Sequence, residues 1–265
     1  MATPAQARAL RALIDALELA EDKLITKALK AVAKAYAAVD LRQTVALYAL
    51  AVKSPNPQGR LAQLPLLLGE FDRSAAALAY TMAELTPLAA AAVNLGVKGT
   101  ADFIRTLAPG LSFDIRPERE LSYIADVQAR YADHWARESP RFRADVQNVI
   151  EAGLERGQNP RQVGRELAAR LGVSRSRADL IAANEISNAR AYAMQQTQHE
   201  LGLRRYDWSA TGGKAGDGRT RPLHRRLHGT RHDWDKPGPA ENGAHPGQAI
   251  RCRCVALPVV EDLLD

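Results

Sequence analysis

Apolar residues recur every three or four positions along the first part of the chain. The stripe begins with Leu10, Leu13, Ile14 and Leu17 and resumes with Ile25, Leu29, Val32, Tyr36 and Val39. This spacing places the apolar side chains on one face of a helix. Aromatic residues make up only 5% of the chain and alanine is abundant, so the composition favours helices as well. The pattern therefore predicts one or two helices over residues 7–52.

Proline and glycine divide the next hundred residues. Residues 54–59 read Ser-Pro-Asn-Pro-Gln-Gly, which predicts a break. Helix is expected from about residue 61 to 93, with Pro87 at a start or a kink. Residues 94–109 are punctuated by glycine and are expected to form a loop with a short helix. Two further helices are predicted, over residues 117–136 and 140–153.

Cap signals define two more helices. Asn159 can cap a helix whose first residue is Pro160, and Gly172 is expected to end it. Ser174 is then expected to cap a long helix over residues 175–201, which Gly202 ends. Such a pair of helices, joined by a short turn with a glycine, also resembles a helix-turn-helix. In that alternative Arg175, Arg177 and Arg190 face DNA.

The character of the sequence changes after residue 202. Residues 206–210 read as a strand, a loop rich in Gly, Pro, Arg and His runs through residue 251, and residues 252–260 read as a closing strand. The predicted fold class is therefore α+β. A mainly helical N-terminal two-thirds precedes a small mixed α/β, loop-rich C-terminal module.

Charge and cysteine content limit the function classes. A net charge of +6 favours contact with nucleic acid or with another acidic surface, although a solvated basic face explains it equally well. Lys23, Lys27, Lys30 and Lys34 form such a face on the first helix, and we expect them to lie in solvent. Two cysteines exclude a disulfide framework and favour synthesis in a reducing cytosol. No signal peptide or membrane span is expected.

Four histidines and both cysteines fall within 31 residues. On a strand, the Cys-x-Cys pair at Cys252 and Cys254 points both thiols to one face, which suits two thiolates that converge on zinc. His224 and His245 are the expected additional ligands, and His228 can replace either. We expect a structural zinc ion, because a small module with many loops and few apolar residues needs a cross-link to be stable.

Two other readings concern catalysis and a buried charge. Asp217, His224 and His228 could hold a catalytic metal, which makes a metal-dependent nuclease the rival function, but no run of paired carboxylates fixes two metal ions. The Asp217 segment can equally form a turn. Glu185 lies on the apolar face of the long helix with Ile181, where a carboxylate needs a partner or a route to water.

The order of the motifs resembles the phage Mu protein F-like family, over residues 120–258. The motifs, in chain order, are Ser174-Arg-Ser-Arg-Ala178, Ile181-Ala-Ala-Asn-Glu185, Trp208, Asp217-Gly-Arg219-Thr-Arg221-Pro-Leu-His224, His228-Gly229, Pro246-Gly247 and Cys252-Arg-Cys254. Two pieces depart from the family. Its usual Ala-Arg-Thr-Glu reads Ala-Ala-Asn-Glu, and His245-Pro246 lies further from Cys252 than is usual.

The resemblance implies a minor capsid protein of a tailed bacteriophage and not an enzyme. Such a protein acts in head morphogenesis and is located in the virion, inside the head at the portal vertex. The expected partners are the portal protein, the major capsid or scaffold protein, and packaged double-stranded DNA. Arg225, Arg226 and Arg231 are the expected DNA contacts. The implied organisation is a portal- or scaffold-contacting arm over residues 1–115, a helical part over 116–202 and a C-terminal module over 203–265.

Overall fold

The computed structural model describes residues 3–76, 78, 81–115, 117–213 and 215–263. It is mainly helical and ends in a small sheet, which confirms the predicted α+β class. The helices are α1 (Pro4–Ala37), α2 (Arg42–Ala51), α3 (Pro57–Leu61), α4 (Leu64–Ala75), α5 (Thr81–Leu107), α6 (Pro117–Arg156), α7 (Pro160–Glu200) and α8 (Pro222–Leu227). The strands are β1 (Arg205–Ser209), β2 (Arg231–Asp233) and β3 (Val255–Pro258), and short 3₁₀ turns span Glu241–Gly243 and Val260–Leu263.

Several helix boundaries follow the cap signals in the sequence. Asn56 accepts a hydrogen bond from the Gly59 amide at 2.6 Å and so caps α3. Asn159 accepts one from the Arg161 amide at 2.9 Å at the start of α7. At the other end of α7, Gly202 has φ +78°, a conformation that glycine adopts without a Cβ clash. The predicted start and end of this region are therefore confirmed.

Three predicted interruptions are wrong. Residues 94–107 continue α5, and α6 runs through Pro140 without ending. The helix α7 is continuous through Gly172 and Ser174, so the turn that a helix-turn-helix requires is absent there. Ser174 is buried and does not act as a cap, because its hydroxyl lies 2.8 Å from the Tyr36 hydroxyl. Burial of the helix on its neighbours outweighs the weak local preference of glycine for a turn.

The chain divides into two compact units made of discontinuous segments. One consists of Met1–Lys27, Thr86–Ala129 and Ala183–Asp265, and the other of Ala28–Leu85 and Arg130–Ala182. The predicted functional division at residues 115 and 202 follows chain order, and it stays a prediction.

The unit Ala28–Leu85 with Arg130–Ala182 has an all-helical core. Its buried residues include Tyr48, Phe71, Phe142 and Ile150. Phe71 and Phe142 pack edge to face, with ring centroids 5.3 Å apart. Val32, Tyr36 and Val39 of the predicted stripe are buried in this unit, whereas Lys30 and Lys34 are exposed, as the periodicity predicts; Lys23 and Lys27, which belong to the other unit, are exposed as well.

The other unit, which contains the C-terminal residues, holds the sheet. The strand order is β2-β1-β3 and both pairings are antiparallel, with Tyr206 opposite His232 and Asp207 opposite Leu257. One face of the sheet buries Tyr206, Trp208 and both cysteines in a common cluster. A second cluster joins Ile14, Leu17, Phe103, Met194 and Val255. The sheet therefore packs on helices that are remote in sequence.

Candidate functional site

The site lies where α8 meets the segment that leads into β3. His224 is on α8, which begins at Pro222, a residue suited to the first helical position. Cys252 and Cys254 come before β3 and not within it, so the predicted start of that strand at residue 252 is wrong. Arg251 has φ +56°, and this bend ends the preceding loop. The chain thus brings a histidine and two thiols together across 28 residues.

The three side chains are buried and close to one another. The Nδ1 atom of His224 lies 3.4 Å from Cys252 Sγ and 3.5 Å from Cys254 Sγ. All three ligand atoms lie within 4.8 Å of one another, and each residue is at most 3% exposed. Among the described residues, they form the one group of three or more His, Cys, Asp or Glu side chains that is compact enough to share a metal ion.

Glu241 and Trp208 fix the orientation of the His224 ring. The Nε2 atom of His224 lies 2.8 Å from a carboxylate oxygen of Glu241, which turns Nδ1 toward the sulfurs. The Trp208 ring packs edge to face on the imidazole at 5.3 Å. The hydrogen bond with Cys252 raises the pKa of His224; burial opposes this effect, and Glu241 adds to it. A histidine that pairs a carboxylate with one nitrogen commonly binds a metal with the other.

The pKa values of the two thiols are shifted in opposite directions. The pKa of Cys252 lies well below its ordinary value, because Cys254 donates a hydrogen bond to its sulfur and His224 also stabilises the thiolate. The pKa of Cys254 is raised, because its thiol donates to Cys252 and because it is buried. The Gly247 amide also donates to Cys252 Sγ, at 3.3 Å. The pocket therefore stabilises negative charge on sulfur, as a metal site requires.

Comparison with known proteins places this region in a family. Residues 144–257, which include α7 from its start and the whole site, match the family model described as Phage Mu protein F like protein. This region of the chain is similar to the phage Mu protein F-like family. The family indicates bacteriophage head morphogenesis and association with the virion.

One curated relative is similar to part of the chain. An uncharacterized protein of Haemophilus influenzae is 31% identical over 121 residues, which are 44% of this chain and 25% of that protein. The chain thus spans about a quarter of the length of that relative. No solved structure matches. Among the described residues, no helix is both long and apolar enough to cross a membrane.

His245, which was predicted as a metal ligand, does not lie with His224 and the two cysteines. His245 is buried, but its Nδ1 atom lies 2.8 Å from the Tyr206 hydroxyl, and its ring packs 4.9 Å from Trp234. His228 accepts a hydrogen bond from the Ala210 amide at 3.2 Å. Both rings therefore have structural contacts elsewhere in the module.

The residues expected for a nuclease are also kept apart. Asp217 accepts hydrogen bonds from the Arg219 and Thr220 amides, which is the turn that the sequence allowed, and it pairs with Arg253 at 2.6 Å. Within the part of the chain that the structure describes, Asp217, His224 and His228 do not form a group that could share a metal ion. The geometry therefore lends no support to the nuclease alternative.

The predicted phosphate-binding arginines differ in how they are engaged. Arg231 makes a two-pronged contact with Asp207 at 2.9 and 3.0 Å. Arg221 donates to the Ile250 carbonyl at 2.6 Å, and Arg225 contacts the Ala215 carbonyl at 3.4 Å. Arg226 is exposed. Arg225 and Arg226, on α8, are therefore better placed than Arg231 to meet an incoming phosphate.

Two important groups escaped the sequence analysis. Glu241 is an isolated acid in a loop of glycine and proline, and no pattern there indicates a contact with His224. Arg190, which the helix-turn-helix alternative placed on DNA, is instead fully buried and lies 3.2 Å from the buried carboxylate of Glu21. Arg177 pairs with Glu138 and Asp145. The sequence signal that could have identified Arg190 is a charged residue among the apolar residues on one face of the α7 helix.

Glu185 and Trp208 are both buried, at 5% and 1% exposure. Glu185 lies on α7 and Trp208 on β1, and both fall within the residues that the family model covers. Their places in the fold indicate structural roles within the unit.

Proposed function

We propose that this chain is a minor capsid protein that acts at the portal vertex during assembly of a tailed-phage head. The observation that carries the proposal is the match of residues 144–257 to the phage Mu protein F-like family. The match extends from α6 through the sheet to β3, so it covers a folded region and not an isolated motif. Portal protein, and the major capsid or scaffold protein, are the proposed partners, and residues 1–115 are the proposed contacting arm.

The role is proposed to be structural and not enzymatic. The compact group of ligand-type side chains is buried, with His224 2% exposed, so a large substrate has no open approach to it. This burial supports a structural role for the group.

Quantitative mass spectrometry of gradient-purified phage particles tests the proposal. We expect peptides of this chain in filled heads, in few copies relative to the major capsid protein and in a fixed ratio to the portal protein. Cross-linking of the same particles should join residues 1–115 to the portal protein. A chain that occurs in the lysate and is absent from heads contradicts the proposal, whatever its other activities.

We also propose that the module contacts packaged DNA without sequence preference, through Arg225 and Arg226. Each phosphate contact contributes about −0.9 to the slope of log affinity against log salt. The double variant Arg225→Ala/Arg226→Ala should therefore lose roughly two units of slope in a duplex-binding titration. The matched control is Arg165→Ala/Arg170→Ala, which removes two exposed arginines from α7. Equal slopes for the two variants contradict this assignment.

A further inference from the structure

We infer that His224 Nδ1, Cys252 Sγ and Cys254 Sγ bind one zinc ion, with Glu241 as the group that orients His224. The inference goes beyond the proposed capsid role, since it holds or fails whatever the partners of the chain are. It also changes the ligand set expected from the sequence, because His245 is not part of it.

The separations between the ligand atoms suit tetrahedral zinc. Zinc bonds of about 2.3 Å to sulfur and 2.0–2.1 Å to nitrogen, at a tetrahedral angle, put sulfur and nitrogen about 3.6 Å apart. The observed distances from His224 Nδ1 are 3.4 Å to Cys252 Sγ and 3.5 Å to Cys254 Sγ. Both nitrogen-to-sulfur separations are therefore close to the spacing that a shared zinc ion imposes, and the two sulfurs lie within 4.8 Å of each other.

The chemistry of the donors selects the metal. Two thiolates and an imidazole suit a borderline-soft ion such as zinc, whereas magnesium and calcium prefer oxygen ligands. The three donor side chains here offer no oxygen atom to a metal. Glu241 contacts the opposite nitrogen of the ring, so it fixes the ring orientation and stays outside the coordination sphere.

The surroundings favour a thiolate and give the ion a structural role. The Gly247 amide donates to Cys252 Sγ at 3.3 Å, and Arg190 donates to the Cys254 carbonyl at 3.2 Å. The ion would tie α8 to the segment before β3, two parts of the module that are otherwise joined by a long loop. Among the described residues, these three side chains are the His, Cys, Asp or Glu ligands that the group offers.

Metal analysis of the full chain, purified without chelator from zinc-containing medium, is the first test. We expect about one equivalent of zinc per chain, and less than about a tenth in the folded Cys252→Ser/Cys254→Ser and His224→Ala variants. His245→Gln keeps a partner for the Tyr206 hydroxyl and should retain the full equivalent. His134→Ala, which changes a histidine outside the module, is the matched control. Loss of zinc from folded His245→Gln would overturn the assigned ligand set.

A second measurement uses the wild-type chain alone, so it does not depend on variants that fold. Zinc added to chelator-stripped protein should raise the melting temperature, whereas magnesium should leave it unchanged. Cobalt in place of zinc should give the visible absorption of a tetrahedral ion with thiolate ligands. Folded protein with less than about a tenth of an equivalent of zinc overturns the inference. So does a disulfide between Cys252 and Cys254 in freshly purified protein.

Discussion

The buried ion pair between Arg190 and Glu21 offers a sharp test of how the unit with the C-terminal residues is held together. Both side chains are 1% exposed and their charged atoms lie 3.2 Å apart. Arg190→Met would leave the Glu21 carboxylate buried without its counter-charge, which typically costs about 3–5 kcal/mol. Arg190 also donates to the Cys254 carbonyl, and loss of that bond adds about 1 kcal/mol.

Urea denaturation, followed by tryptophan fluorescence and circular dichroism, measures this cost. Trp208 and Trp234 are both buried in the same unit, so their fluorescence reports its unfolding. In a thermal melt of the same variant, each kcal/mol lowers the melting temperature of a unit of this size by roughly 2–4 °C, so the combined cost of about 4–6 kcal/mol corresponds to a loss of roughly 8–24 °C. The matched control, Arg165→Met, removes an exposed arginine from the same helix and should change stability by less than about 0.5 kcal/mol.

A double-mutant cycle decides whether charge is the cause. Glu21→Leu alone should also be destabilising, because it leaves Arg190 buried and unpaired. The double variant Glu21→Leu/Arg190→Met removes both charges and should recover at least about 2 kcal/mol relative to the sum of the single changes. Single variants that each cost under about 1 kcal/mol, or a double variant that equals the sum, would refute the reasoning.

Three further predictions concern two helices and one turn. Gly96→Ala should destabilise the chain by roughly 1–3 kcal/mol, because the new Cβ would lie 2.4 Å from the Arg190 carbonyl oxygen, and thermal melting measures the loss. Gly172→Ala should stabilise it by roughly 0.5–1 kcal/mol in the same assay, because α7 is continuous there and nothing lies within 4 Å of the added atom. Asp217 should contribute stability that is lost between about pH 4 and pH 2. Burial alone would raise the pKa of Asp217, but hydrogen bonds from its own turn and the charge of Arg253 hold it at about 2, so the folded state keeps the carboxylate ionised where the unfolded state binds a proton. Acid titration of Asp217→Asn should lack this component.

A specific outcome would contradict each of these three predictions. A destabilising Gly172→Ala variant would indicate a turn at that position and would revive the helix-turn-helix geometry. A Gly96→Ala variant as stable as the wild type would mean that α5 and α7 pack less closely than the structure has them. An Asp217→Asn variant whose acid unfolding matches the wild type would show that the Asp217 turn is not linked to folding.

Much of the helical part could be predicted because periodicity and caps are local signals. The stripe through Val32, Tyr36 and Val39 is buried, and Asn159 caps α7, as their spacing indicates. The errors are at single residues where a weak local preference opposes a long packed helix. Gly172 costs a helix about 1 kcal/mol and Pro140 about 3 kcal/mol, and burial of the apolar faces of α6 and α7 outweighs both costs, so the two helices run through them.

The ligand set of the candidate site could be predicted only in part from the sequence. The clustering of His224, Cys252 and Cys254 in sequence was enough to predict a shared metal ion, because soft ligands so close in the chain can converge in a small module. The sequence could not select between His245 and the other histidines, since each loop can fold back in several ways. Only the packing of Tyr206 and Trp234 around His245 removes it from the group.

The amino-acid sequence by itself therefore determined the helical class, the position of the small C-terminal module and the similarity of residues 144–257 to the phage Mu protein F-like family. These depend on patterns between near neighbours in the chain and on the order of short motifs. Tertiary structure alone decided that Arg190 meets Glu21, that Glu241 orients His224 and that the cysteines lie before β3. Such contacts join residues 17 to 169 positions apart, and their energies exist only once the chain has buried both partners away from water.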